Sequence, residues 1–224
     1  VAVVVEHPVL FHDPRPEPVA RATRDLLDRA LVAKGREHPR GRRLGQFRAL
    51  GESEYRSAAA CSGDGPLSLY LHIPFCASPC FYCGCNRMIT RDEAKKQAYL
   101  EHLLKEVELI APYFDSDREV VQLHLGGGTP NSLNTGQLAQ LIRKFSESFR
   151  FAPENEREFS IEIDPRTVSA GDVAALRAMG FNRVSLGIQD FDANVQQAIN
   201  RHQDIGKITD IFEACKSNGF HSIN

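Results

Sequence analysis

From residue 66 onward, short hydrophobic runs alternate with longer segments of helical periodicity. The hydrophobic runs predict strands over residues 67–73, 120–125, 159–163 and 183–188, with a fifth strand opening at residue 221. The segments between them predict helices near residues 92–111, 135–149, 170–179, 192–200 and 205–218. Because a helix follows each strand in units of ~30 residues, the pattern predicts an α/β fold with a parallel sheet.

The predicted units are too few for a closed barrel. We expect a partial parallel (β/α) barrel over residues 66–224, truncated after about the fifth strand, because the chain begins with Val and ends inside that strand. Residues 1–65 are predicted to be an N-terminal helical or irregular extension, with a helical pattern at 16–33. Its Arg-rich run at 36–48 allows a basic arm on nucleic acid, but a solvated stretch is favoured.

Composition narrows the class of protein. Hydrophobic residues at 42% and charged residues at 25% are typical of a soluble globular protein. A net charge of −2 gives no basic field for nucleic acid, and no apolar run approaches the ~20 residues of a membrane span. The first five residues are too short for a signal-peptide core of ~7–15 residues. We expect a cytoplasmic monomer without nucleic-acid or membrane partners.

Four of the six cysteines lie in ten residues directly after the first strand: Cys76, Cys80, Cys83 and Cys85. Such crowding indicates metal binding in a reducing compartment rather than a disulfide framework. Thiolates gather at zinc and iron–sulfur centres. Three cysteines could ligate three irons of a [4Fe-4S] cube and leave the fourth iron without a protein ligand, as a reactive site. A structural zinc site is the alternative, but the sequence has no distant second pair, so the cluster is favoured.

Further candidate residues lie where the other predicted strands end. Residues 126–128 are three glycines after the second strand, Glu162 is near the end of the third, and Gln189 ends the fourth. The carboxyl ends of barrel strands carry the chemistry, and a bare glycine backbone lets a ligand approach closely. The structural alternatives are a tight turn for the three glycines, a paired carboxylate for Glu162 and a core amide for Gln189. Arg201 fits a surface charge equally well, and Tyr70 is expected to be half core and half site.

The motifs resemble those of the radical S-adenosylmethionine (SAM) superfamily and, within it, the oxygen-independent coproporphyrinogen III oxidases. The resemblance covers residues 66–224. It lies in the runs Tyr70-Leu-His-Ile-Pro-Phe-Cys76, Cys83-Gly-Cys-Asn86, Leu123-His-Leu-Gly-Gly-Gly-Thr-Pro130, Ile161-Glu-Ile-Asp-Pro165, Gly180-Phe-Asn-Arg-Val-Ser-Leu-Gly-Ile-Gln-Asp-Phe191 and Asn200-Arg-His-Gln203.

This resemblance implies a barrel of the radical SAM type with a [4Fe-4S] cluster and two SAM molecules per chain. It places Cys76, Cys80 and Cys83 as cluster ligands and Cys85 in the catalytic centre, near the cluster without ligating it. Positions matching contacts to the cluster-bound SAM are Tyr70, Gly127 and Glu162, and those matching contacts to the second are Tyr82, Gly128, Thr129, Gln189 and Arg201.

The implied activity is oxidative decarboxylation of two propionates of coproporphyrinogen III to vinyl groups, giving protoporphyrinogen IX in anaerobic haem biosynthesis. A porphyrinogen and an unidentified reductant are the implied partners. The resemblance also allows a haem chaperone of the same superfamily. Such relatives usually lack the Gly-Cys-Asn ending, so Cys85 favours the oxidase. The 224-residue chain alone is expected to bind a cluster poorly and to turn over little or not at all.

Overall fold

The computed structural model describes residues 2–5, by their backbone alone, and residues 52–224. The helix predicted over residues 16–33 and the Arg-rich run at 36–48 lie outside the described residues. The strands are β1 Ala2–Val5, β2 Leu67–Ile73, β3 Phe75–Cys76, β4 Met88–Ile89, β5 Glu119–Gly127, β6 Arg150–Phe151, β7 Glu158–Ile163, β8 Arg183–Leu186 and β9 Ser222–Ile223. The helices are α1 Glu52–Ala60, α2 Glu93–Ile110, α3 Thr135–Ser148, α4 Ala170–Ala178, α5 Ala193–Ala198 and α6 Ile205–Ser217.

The main sheet is parallel and has the order β1-β2-β5-β7-β8-β9, with β6 beside the start of β5. From β2 onward, spatial neighbours follow chain order. A (β/α) barrel has this order, whereas a doubly wound sheet reverses direction at a switch point. The predicted α/β fold with a parallel sheet is therefore confirmed. β3 and β4 form a separate two-stranded sheet beside the cysteine loop.

One face of the main sheet is apolar and carries the hydrophobic core. Alternate residues of each strand point to the same face, and on this face they are fully buried, as Leu69, Leu71 and Ile73 are in β2. The helices α2, α3, α4 and α6 bury their apolar residues in the same core, among them Leu100, Leu103, Leu141, Phe145, Leu176 and Cys215. Burial raises the pKa of the Cys215 thiol to about 11, as expected for a structural cysteine.

The opposite face is polar, because the intervening strand positions carry hydrogen-bonding side chains. Neighbouring strands place them in rows, and one row runs from Tyr70 through His124 and Ser160 to Arg183. In the row below, the Ser68 hydroxyl donates to Gln122 Oε1 at 3.1 Å. In a closed barrel this polar face would be the interior.

The helix ends lie within two residues of the predicted ends, and capping residues mark several of them. Asn134 begins α3 with a capping box, and Ser169 does the same for α4. Gly180 and Gly219 follow α4 and α6 with φ values of 96° and 79°, a conformation that glycine adopts freely.

The elements not expected from the sequence are β1, α1 and the short strands β3, β4 and β6. β1 pairs in parallel with β2, so residues 2–5 add a strand to the edge of the main sheet. The helix α1 lies beside the end of α2, where the rings of Tyr55 and Tyr113 are 5.6 Å apart. In the part of the chain that the structure describes, every helix is too short or too polar to cross a membrane.

Asn182 ties β7 to the chain that precedes β8, and its replacement tests this packing. Its Oδ1 accepts from the Phe159 N–H at 2.9 Å, and its Nδ2 donates to the Arg157 carbonyl at 2.8 Å. Asn182→Ala leaves both backbone groups without these partners and is expected to lower the free energy of unfolding by about 2–3 kcal/mol. Urea denaturation measures this, with the exposed Asn194→Ala as a control expected within about 0.5 kcal/mol of the wild type. Equal losses in the two variants would contradict the assignment.

Candidate functional site

A cavity of about 410 Å³ lies at the carboxyl ends of β5, β7 and β8, against the cysteine loop. Pockets of this volume hold nucleoside-sized ligands. Every predicted site residue except Tyr70 lines it: Cys76, Cys80, Tyr82, Cys83, Cys85, Gly127, Gly128, Thr129, Glu162, Gln189 and Arg201. The sequence predicted that these residues, at the carboxyl ends of successive strands, would lie close together. In the structure they line one cavity.

The cysteine loop is folded by its own short-range hydrogen bonds. The Cys83 N–H donates to the Cys80 carbonyl at 3.2 Å, and the Cys85 N–H donates to Cys83 Sγ at 3.3 Å. Cys76 Sγ lies 3.4 Å from Thr129 Oγ1, which joins the loop to the residue after the three glycines. Among residues 52–224, His, Cys, Asp and Glu side chains do not converge in threes where one metal ion could sit.

The thiols of this loop have different electrostatic surroundings. Burial raises the pKa of Cys76, and the contact with Thr129 offsets this only in part. Burial also raises the pKa of Cys83, but hydrogen bonds from Cys85 and the charge of Arg87 outweigh it, so the net shift is downward. The Cys85 thiol has a raised pKa, first because of its hydrogen bond with Cys83. Of these three thiols, Cys83 forms a thiolate most readily.

The glycines at the end of β5 make room for neighbouring parts of the chain itself. Gly127 has φ 114°, and a Cβ there would lie 2.9 Å from the His72 ring. A Cβ on Gly128 would lie 2.8 Å from the Pro74 carbonyl, and the Gly128 N–H already donates to the Ile73 carbonyl at 2.9 Å. The sequence predicted that glycine here would let a ligand approach the backbone. The structure adds a second reason, because side chains at 127 and 128 would collide with His72 and Pro74.

Glu162 and Tyr70 belong to one polar cluster on the inner face of the sheet. Glu162 Oε1 is 3.4 Å from His124 Nε2, and His124 Nδ1 is 2.7 Å from Ser160 Oγ. The Tyr70 ring stacks on His124 at 5.7 Å, and its hydroxyl lies 3.2 Å from His72 Nδ1. Tyr70 lies below the cavity wall, whereas Glu162 is half exposed at the cavity.

Arg201 is held in the cavity wall by a buried ion pair. Only 9% of Arg201 is exposed; its guanidinium lies 3.3 Å from Asp164 and donates to the Gly187 carbonyl at 3.0 Å. Arg166 binds the same carboxylate through two nitrogens. Burial raises the pKa of Asp164, but the hydrogen bonds from Arg166 and the charge of Arg201 outweigh it and hold this pKa below its ordinary value. Arg201 is thus a buried residue that lines the cavity and not a surface charge.

Gln189 lies in a strained loop and not at the end of a strand. β8 stops at Leu186, two residues before the predicted end, because Arg201 and Gln203 take the carbonyls of Gly187 and Ile188. Gln189 has φ 72°, which is uncommon for a residue with a side chain and is found often at functional sites. Tyr82 is 70% exposed on the cysteine loop at the edge of the cavity.

Sequence reasoning missed three charged residues that line the same cavity: Arg87, Asp164 and Arg166. Two signals were available. Asp164 and Arg166 directly follow the end of β7, the position that was used to select Glu162. Arg87 comes two residues after the last cysteine of the loop. Neither signal revealed that these side chains bind one another or the loop backbone.

Gly128→Ala tests the close approach of the glycine segment to β3. The new Cβ would meet backbone atoms that cannot turn away, so the free energy of unfolding is expected to fall by about 1–3 kcal/mol. Gly84→Ala is a matched control on the same cavity, because nothing lies within 4 Å of its Cβ position. Chemical denaturation measures both, and a Gly128→Ala protein as stable as Gly84→Ala would contradict the stated contact.

Asp164→Asn tests the buried ion pair through its pH dependence. A depressed folded-state pKa means that the carboxylate stabilises the fold fully above its ordinary value of 3.8 and loses this effect as pH falls through the folded value. The variant is expected to be about 2 kcal/mol less stable than the wild type at neutral pH. This difference should shrink below about pH 4. Urea titrations at several pH values measure it, and a constant difference into acid would exclude the ion pair.

Comparison with known proteins agrees with this geometry. The model of the radical SAM superfamily matches residues 70–224. Oxygen-independent coproporphyrinogen III oxidase from Pseudomonas aeruginosa is 44% identical over 159 residues, covering 71% of this chain and 35% of that protein. The Escherichia coli K12 enzyme is 44% identical over 175 residues, covering 78% and 38%.

A solved structure of coproporphyrinogen III oxidase from Escherichia coli, described as a radical SAM enzyme, superimposes with a TM-score of 0.74 at 43% identity. The match covers 78% of this chain and 40% of that one. The chain thus spans little more than a third of the length of the curated relatives it matches. Since the superfamily model covers more than half of the described residues, this chain belongs to the radical SAM superfamily.

Proposed function

We propose that this chain carries the cluster-binding part of an oxygen-independent coproporphyrinogen III oxidase. The observation that carries the proposal is the single cavity that joins the four cysteines of the loop to Gly127, Glu162, Gln189 and Arg201. The relatives named for this activity match 71% and 78% of the chain. The reaction is the oxidative decarboxylation of porphyrinogen propionates to vinyl groups.

Superfamily membership implies a [4Fe-4S] cluster and SAM, and the donor set fits these cofactors. Cys76, Cys80 and Cys83 are the proposed cluster ligands, because their thiols line one wall of the cavity. Hydrogen bonds to sulfur tune iron–sulfur sites, and Cys83 Sγ already accepts one from the Cys85 N–H. When bound, the cluster and SAM supply a carbon radical that abstracts hydrogen.

The chain's own residues hold and orient the ligands in this proposal. Glu162 offers a half-exposed carboxylate to a SAM hydroxyl or ammonium, with His124 fixing its direction. Gln189, Thr129 and Arg201 line the region proposed for a second SAM, and the exposed Tyr82 ring offers a stacking face. Cys85 is proposed to lie near the cluster without ligating it, since it is exposed at the cavity.

The proposed setting is the cytoplasm, with the chain acting as a monomer and taking electrons from a separate reductant. All six cysteines are free thiols, which favours a reducing compartment.

Anaerobic reconstitution with cysteine substitutions tests the proposed ligands. The whole protein, of which this chain is the proposed cluster-binding part, is expected to bind about four irons with acid-labile sulfide. Cys76→Ser, Cys80→Ser and Cys83→Ser should each lose most of the iron, because each removes one thiolate ligand. Cys85→Ser should keep it, as should Cys61→Ser, an exposed cysteine that does not line the cavity. A wild-type protein that contains zinc and no iron would contradict the proposed cluster. Loss of iron from Cys85→Ser would contradict the proposed set of three ligands.

The activity itself is tested with SAM, a strong reductant and coproporphyrinogen III in the absence of oxygen. The proposal for the whole protein predicts vinyl products and cleavage of SAM. Tight haem binding without decarboxylation would replace the oxidase by a haem-binding function of the same superfamily.

A further inference from the structure

Arg87 lies beside the cysteine loop and is absent from the residues that the sequence motifs single out. Its Nη1 donates to the Cys83 carbonyl at 2.9 Å, and its Nη2 donates to the Cys80 carbonyl at 3.2 Å. The same guanidinium lines the cavity. One side chain therefore bridges the backbone of two proposed cluster ligands and places a positive charge beside their thiols.

The backbone on both sides of Arg87 is fixed, so the bridge starts from a rigid base. The Asn86 carbonyl lies 2.9 Å from His72 Nε2 of β2. The Met88 N–H donates to the Pro74 carbonyl at 2.7 Å, and Met88 pairs with Phe75 between β4 and β3.

The loop that Arg87 contacts is mostly exposed. Its backbone is also held after α5, where the Phe81 N–H donates to the Ile199 carbonyl at 3.0 Å and Asn200 Nδ2 donates to the Pro79 carbonyl at 2.8 Å. Arg87 is the side chain that contacts the carbonyls of the two cysteines.

We propose that Arg87 is a positioning residue for the cluster: its guanidinium clamps the Cys80 and Cys83 carbonyls in the ligating arrangement and raises the reduction potential of the bound cube. The inference rests on the proposed cluster. The clamp needs the planar fork of arginine, because two N–H groups must reach two carbonyls at once. The effect on the potential needs only the positive charge, since a nearby cation stabilises the more negative, reduced cluster.

These two requirements can be separated by substitution. Arg87→Met removes the fork and the charge, whereas Arg87→Lys keeps a charge without the fork. Arg91→Met is a matched control, because Arg91 is exposed and reaches the loop only through a weak 3.4 Å contact with the Ala77 carbonyl. Melting of each protein before reconstitution shows whether the fold is retained.

The experiment reconstitutes the whole wild-type protein and the three variants without oxygen and follows loss of iron to a chelator. Electron paramagnetic resonance during redox titration then gives the cluster potential. Arg87→Met is expected to lose iron about 10-fold faster than the wild type and to have a more negative potential. Arg87→Lys should also lose iron faster but keep nearly the wild-type potential, and Arg91→Met should match the wild type in both.

Different results separate the two proposals. A whole wild-type protein that takes up no iron–sulfur cluster rejects the proposed function and this inference with it. A wild type that holds the cluster, with Arg87→Met equal to it in retention and potential, rejects the role of Arg87 alone. A lowered melting temperature without a change in either property would show that Arg87 only stabilises the fold.

Discussion

The pairing of β2 with β5 is the contact on which the rest of the site depends. Its register sets Ile73 beside Gly127, and the Gly128 N–H continues the ladder by donating to the Ile73 carbonyl at 2.9 Å. The cysteine loop leaves β2 and the Thr129 turn leaves β5 at this same level. A slip of one residue would turn every side chain of β2 to the other face. The glycines permit the register, because side chains at 127 and 128 would collide with His72 and Pro74.

One face of the sheet stabilises the fold, and the other carries the polar residues that lead to the candidate site. The apolar face buries Leu69, Leu71 and Ile73 against helices, and burial of such side chains is worth about 1.5–3 kcal/mol each. The polar face instead joins Tyr70 and His124 to their neighbours by hydrogen bonds and ring stacking. Polar groups on that face become useful only where a strand ends and a cavity begins, which is why the site residues lie at the carboxyl edge.

The periodicity of the sequence predicted β2, β5, β7 and β8 and the helices that follow them, although β8 ends two residues before its predicted end. Capping residues such as Asn134 and Gly180 mark where helices begin and end. The periodicity also placed the site, since strand ends are fixed once the strands are known. It did not give the partners of the charged residues. The Asp164 carboxylate meets Arg201, 37 positions later in the chain, only through the packing of β7 against β8. Nor did it give β1, whose pairing with β2 joins residues distant in the sequence.

The residues proposed to hold ligands already have partners within the chain, and this shapes how the site would work. Thr129 contacts Cys76, His124 contacts Glu162, and Arg201 binds the Gly187 carbonyl. Side chains held in this way lose little conformational freedom when a ligand arrives, so more of the contact energy remains for binding. The exposed residues Tyr82 and Cys85 lie on the cysteine loop, where Cys85 hydrogen-bonds to Cys83 of the same loop. The loop is therefore ordered by its contacts with the rest of the fold, among them the hydrogen bonds of Arg87 and the bond from the Phe81 N–H to the Ile199 carbonyl.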